Sequence, residues 1–335
     1  MVKVFLTFGG TMIRVLVLCA LLLSAAHVEA RNAQPRYSFP DYDFRLGTSI
    51  LEFFCGQLKA AYENKPLPVY TRKYPKQTPL DTKFLNLLNR KFSISEHQVK
   101  RLRTISNKSQ WLGWDWNPWF WPNKVEYCTY IDIIREISQK IIPETLEELN
   151  LKPKIDVPVI HYRLSDVPFC RSLSHHLQYY AYYEMALDKL KAEGIDVSEI
   201  VVLYTFKNGY HKNLNISRDQ FIEINKEYLN DFIGHLNSKG YKVTVQSKSV
   251  LEDFATMVFA PAVIGSESMF CLFSGLANKH PIIFPLLGKE HQNHYGPTHN
   301  IPAFISPIQP LLHCNVKNYY DYKDVFAKLR QQPPA

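Results

Sequence analysis

A His and an Arg stand two apart where an apolar run gives way to a polar loop: Val159-Ile160-His161-Tyr162-Arg163-Leu164-Ser165-Asp166. In a strand that spacing puts both side chains on one face. An Arg at a strand end can fork two hydrogen bonds onto phosphate oxygens. Asp166 either orients that Arg or takes part in acid–base chemistry; a structural ion pair would use the same two residues. A second such place is Ala262-Val263-Ile264-Gly265-Ser266-Glu267-Ser268, an apolar run that ends in Gly-Ser before a helical stretch. The first turn of a helix offers free N–H groups and the positive end of the dipole, so it attracts anions. Ser266 and Ser268 add hydroxyls, although Ser266 also reads as a plain helix cap. With Arg163 on another strand of the same sheet, these residues predict a cradle for a diphosphate. Glu267, beside an anion, has to face away or meet a sugar or ribose.

The elements that must hold these residues alternate along the second half of the chain. Apolar, β-branched runs predict strands over 157–162, 200–206, 241–245, 262–265 and 281–286. Helical periodicity covers 172–193, 221–239, 250–259 and 268–278, with Ser172 or Ser174 as the first N-cap and Gly194 and Gly240 as stops. Such alternation implies an α/β fold, a parallel sheet with helices on both faces, and ligands at the carboxyl ends of its strands. Residues 31–150 have a different texture, irregular and rich in Pro, Tyr and Trp, with helical patterns around 51–62 and 130–142. All five Trp fall between Trp111 and Trp121. That block reads as the core of a smaller N-terminal domain, with one or two rings left to stack on sugars. The expected division is a leader over 1–30, an N-terminal domain over 31–150 and a ligand-binding α/β domain over 151–330.

Composition narrows the class. Hydrophobic residues make up 46% of the 335, enough for a full core, and the net charge of +8 is spread along the chain. Scattered Lys and Arg suit an anionic small molecule and argue against nucleic acid. Val15–Ala26 is an apolar run preceded by Lys3 and Arg14 and followed by Val28-Glu29-Ala30, a signal-peptide pattern too short for a membrane span. Membrane contact is expected only if this segment stays as an uncleaved anchor. Sequons at Asn107 and Asn215 agree with a secretory route through the ER and Golgi lumen. Beyond Cys19, five Cys remain, an odd number without metal-site spacing. His291, His294 and His299 share a polar loop and are expected to hydrogen-bond or face water, so no metal is expected.

The strand-end motif His161-x-Arg163-x-x-Asp166 resembles the first motif of the fucosyltransferase superfamily, the α-1,2-, α-1,6- and protein O-fucosyltransferases. The stretch from Asp253 to Phe270, with its Gly265-Ser266-Glu267-Ser268 turn, looks like the last motif of that family. The resemblance covers roughly residues 155–290. It implies a GT-B-like glycosyltransferase that uses GDP-fucose as donor substrate, without metal or other cofactor, and a glycan or glycoprotein as acceptor. Arg163 would neutralise the β-phosphate, Ser266, Ser268 and Gly265 would form the diphosphate turn, and His161 would line the donor site. In place of the family's middle-motif Asp this chain has Tyr204-Thr-Phe-Lys-Asn208-Gly-Tyr-His211, which leaves Asn208 as the donor-side candidate there. The first motif also has Leu164 where a second basic residue is usual. The rival readings are a binding relative of the same fold without turnover, and a secreted α/β hydrolase. The latter lacks a G-x-S-x-G elbow.

Overall fold

Each apolar run of the second half coincides with a strand to within a few residues. The computed structural model describes residues 46–69, 77–105, 124–164, 177–204, 217–266, 268–284, 311–312, 326–327 and 329–331. Within them the strands are β1 (Val159–His161), β2 (Leu177–Gln178), β3 (Glu199–Leu203), β4 (Lys242–Gln246), β5 (Val263–Ile264), β6 (Ile282–Ile283) and β7 (Leu311–Leu312). The helices are α1 (Leu46–Tyr62), α2 (Pro79–Lys91), α3 (Glu96–Arg103), α4 (Lys124–Glu148), α5 (Tyr180–Ala192), α6 (Arg218–Ser238), α7 (Val250–Phe259) and α8 (Met269–Ala277).

Five strands form one parallel sheet in the order β4-β3-β1-β5-β6. Ile160 pairs with Val202 on one side and with Ile264 on the other. The chain builds outward from β1 through β3 to β4, then returns to the opposite side of β1 to lay down β5 and β6. The order reverses between β1 and β5, and that crevice is where parallel sheets of this kind hold ligands. This is the expected α/β fold, and it is compatible with a Rossmann-like sheet.

Strand side chains alternate between two faces, and each face carries its own core. Val159, Val201, Leu203, Val263 and Ile282 pack beneath α1–α4, α7 and α8. Ile160, Ile200, Val202, Ile264 and Ile283 pack beneath α5 and α6. The helices of 46–148 therefore share one core with the sheet, and residues 42–335 form one compact unit. At the centre of the first face lies α8, whose residues Cys271–Ala277 are all buried. Phe54 of α1 stacks on Phe273 at 5.8 Å, and Gln139 of α4 donates to the Asn278 carbonyl at 2.9 Å.

Local chemistry explains most helix ends. Thr78, Ser95, Ser217 and Ser249 each accept from the N3 backbone N–H in a capping box. Gly194 and Gly240 follow their helices at φ of +84° and +91°, a region that costs other residues strain. Ser249→Ala should lower stability by about 1 kcal/mol, read as an earlier urea midpoint, while Ser249→Thr should hold it.

Two expectations change. The helix expected from residue 172 starts at Tyr180, after Tyr179, which makes no side-chain cap. Leu177 and Gln178 are instead drawn into an antiparallel pair with Leu312 and Leu311. The N-terminal region, expected to be irregular with helical patterns at 51–62 and 130–142, holds four helices among its described residues, α2 and α3 among them. Ser172, Ser174 and the Trp block lie outside the described residues, as do both sequon Asn and the leader.

Candidate functional site

His161 ends β1 on the face that it shares with Val159, beneath α8. Its ring lies 5.7 Å from that of Phe270. Ser266 follows β5 directly, one strand over. The His161 Nδ1 and the Ser266 Oγ are 2.7 Å apart, a buried hydrogen bond across the point where the strand order reverses. The two residues are 8% and 2% exposed, so neither side chain is loosely held. Arg163, two residues past His161 on the same face, is partly exposed at the carboxyl edge. The structure thus brings His161, Arg163, Gly265, Ser266 and Ser268 to one end of the sheet. Asp166, Asn208, Glu267, His291, His294 and His299 lie outside the described residues.

Close packing shapes the Gly265–Ser268 turn. A Cβ on Gly265 would meet the Cys271 Sγ at 2.7 Å and the Phe284 ring at 2.9 Å, so this position admits hydrogen alone. The Gly265 N–H donates to the Ile283 carbonyl at 2.7 Å, and its own carbonyl accepts from the Tyr182 hydroxyl at 2.8 Å. The Ser266 backbone acts on the Cys271 thiol, partly offsetting the effect of burial on it. Ser268 caps α8, its Oγ accepting from the Phe270 N–H at 3.2 Å. The hydroxyl that Ser266 could offer an anion is thus already engaged with His161. Sequence reasoning missed Cys271 and Tyr182, whose roles depend on residues distant along the chain or buried in the turn.

Electrostatics follow from burial. Desolvation first, and the Arg163 charge second, lower the His161 pKa from 6.5 to about 3. The imidazole is neutral at any physiological pH. Burial pushes the Cys271 thiol up to about 12, so it stays protonated and is no nucleophile. Asp253, at the edge of the same end, accepts from Gln246 Nε2 at 2.9 Å and from the Lys248 N–H at 3.1 Å. Burial raises its pKa, and its visible work is to tie the end of β4 to the first turn of α7.

The His161 shift makes stability depend on pH. Unfolded, this residue binds a proton near pH 6.5; folded, it refuses the proton until about pH 3. Stability is therefore full above 6.5 and falls as the pH drops below that value. From about pH 7.5 to about pH 5 the expected loss from this one residue is about 2 kcal/mol. Urea unfolding at both pH values should show that loss, and His161→Gln should remove most of it. An equal loss in the variant would mean that other groups carry it.

No family model, curated protein or solved structure matches the chain.

Proposed function

We propose that the chain is a luminal glycosyltransferase of GT-B-like architecture that binds a nucleotide sugar, GDP-fucose first, at the carboxyl ends of β1 and β5. The observation that carries this reading is the His161–Ser266 bridge across the sheet's reversal point, with Arg163 and the N-terminus of α8 beside it. A diphosphate leaving group gains negative charge as the sugar C1–O bond breaks. A fixed Arg and a positive helix end stabilise that charge where it develops. Neutral His161 adds a hydrogen bond without adding charge. An acceptor hydroxyl of a glycan or glycoprotein attacks C1 from the opposite face, with inversion. Asp166 either serves as general base for that hydroxyl or orients Arg163. No metal is called for, because Arg163 and the helix end supply the positive charge.

Calorimetry of the full chain with GDP, and with UDP and CMP as controls, tests the donor site. Selective GDP binding followed by release of GDP from GDP-fucose in the presence of acceptor glycans supports the whole reading. Binding without turnover leaves the non-catalytic relative, the outcome that the Tyr204–His211 departure favours. A folded protein that binds no nucleotide overturns the proposal.

A further inference from the structure

We infer that Ser266 acts through His161, fixing the imidazole as the Nε2–H tautomer so that the residue meets its ligand as an uncharged hydrogen-bond donor. The consequence for ligand binding rests on the nucleotide-sugar reading; the tautomer itself does not.

The argument starts from a hydroxyl that always has one proton to place. Ser266 is 2% exposed, and the His161 Nδ1 at 2.7 Å is the partner of its Oγ. If Nδ1 carried a proton and donated it, the serine proton would have no acceptor among the described residues. A buried donor without an acceptor costs about 1–3 kcal/mol. If the serine donates instead, both atoms are satisfied at once. The ring's proton then sits on Nε2. Among the described residues, the groups around the ring do not compete for this role. Tyr182 donates to the Gly265 carbonyl, and Phe270 presents its ring. Arg163, a cation close enough to act on the ring, opposes a second proton on it. A donor fixed this way keeps one charge state while the pH changes. Ser266 is thus a positioning residue, and its hydroxyl is spent before any phosphate arrives.

The test reads the tautomer directly. In the full chain carrying 15N-labelled histidine and no ligand, the His161 side chain should show a protonated Nε2 and an unprotonated, hydrogen-bonded Nδ1. The signal should hold still between about pH 5 and pH 8, where unperturbed histidines titrate. Loss of the signal in His161→Gln assigns it. If that variant folds poorly, the signal that moves in Ser266→Ala and not in Ser266→Thr assigns it instead. Ser266→Ala should lose the fixed tautomer, and Ser266→Thr should keep it. Ser266→Ala should also weaken GDP binding about fivefold, the loss of one hydrogen bond's preorganisation, with Ser266→Thr near the parent. A protonated Nδ1 in the unaltered protein overturns the inference, as does an unchanged tautomer in Ser266→Ala. The expected tautomer in a protein that binds no GDP supports the inference and sinks the nucleotide reading alone.

Discussion

Gly47→Ala is expected to destabilise the fold strongly. Gly47 lies in the first turn of α1, and a Cβ there would collide with the Phe270 backbone nitrogen. It would also come within 2.6 Å of the Met269 carbonyl carbon and 2.7 Å of the Phe270 Cα. All three atoms are main chain, so no rotamer change can relieve the clash. Either α1 retreats or the start of α8 moves. The cost should be about 3 kcal/mol or more, because overpacking against backbone has no soft direction. That corresponds to a fall in Tm of about 4 °C or more for a chain of this length. Gly56→Ala, in the same helix, is the matched control. Its nearest neighbour would be the Pro68 ring at 3.7 Å, an ordinary contact. There the added methyl should stabilise by about 0.5–1 kcal/mol, the usual helix preference for Ala over Gly. Thermal melts of the two variants should move in opposite directions. Equal small shifts would mean that α1 does not press on α8 as described. Because α8 also begins the candidate site, Gly47→Ala should weaken nucleotide binding through that helix alone.

Arg163→Ala should raise the Kd for GDP about 100-fold. Two charge-assisted hydrogen bonds to a phosphate are worth about 3 kcal/mol together, which sets that scale. Arg163→Lys should recover only part of the loss, since an ammonium keeps the charge and loses the fork. Arg163 is partly exposed, so neither change opens a hole in the core. A circular dichroism melt should confirm that the fold survives. The same substitution has an independent signature, because the Arg163 charge is the second cause of the low His161 pKa. Removing it should let that pKa rise, while burial keeps it below the ordinary value. An unchanged Kd with a raised His161 pKa would place Arg163 beside the imidazole but outside the ligand site.

Much of the sheet was legible because its signals are local. The Val250–Phe259 helix was read to the residue, and Ser249 and Glu252 box its start. Gly194 and Gly240 stop helices because the backbone there turns to positive φ, which few residues other than Gly tolerate. The α/β alternation then placed His161, Arg163 and Ser266 at one edge. Long-range pairings were not legible. Tyr180 begins α5 because Leu177 and Gln178 pair with residues far along the chain, and nothing near Ser172 announces that. The hydrogen bond that joins His161 to Ser266 spans 105 positions. Its two ends were chosen separately, each from its own strand end, and the bond itself had no sequence signature. Helices α2 and α3 did have one, in Thr78-Pro-Leu-Asp81 and Ser95–Gln98, two capping boxes. They were overshadowed by the Pro- and aromatic-rich texture around them.

The shared core on the α1 face also has a bearing on biosynthesis. The ribosome delivers α1–α4 before it delivers any strand of the sheet. Phe54 then has no Phe273 to stack on, and Gly47 has no α8 to press against. A large apolar surface stays without its partner until residue 284 has emerged. Nascent chains in that condition stick to one another and depend on chaperones to hold them apart. A fragment that stops near residue 150 is stranded in the same state. The part that begins there keeps α7 and α8 on that face of its sheet but exposes the surface that α1–α4 cover. Neither piece can be expected to stay soluble without the other.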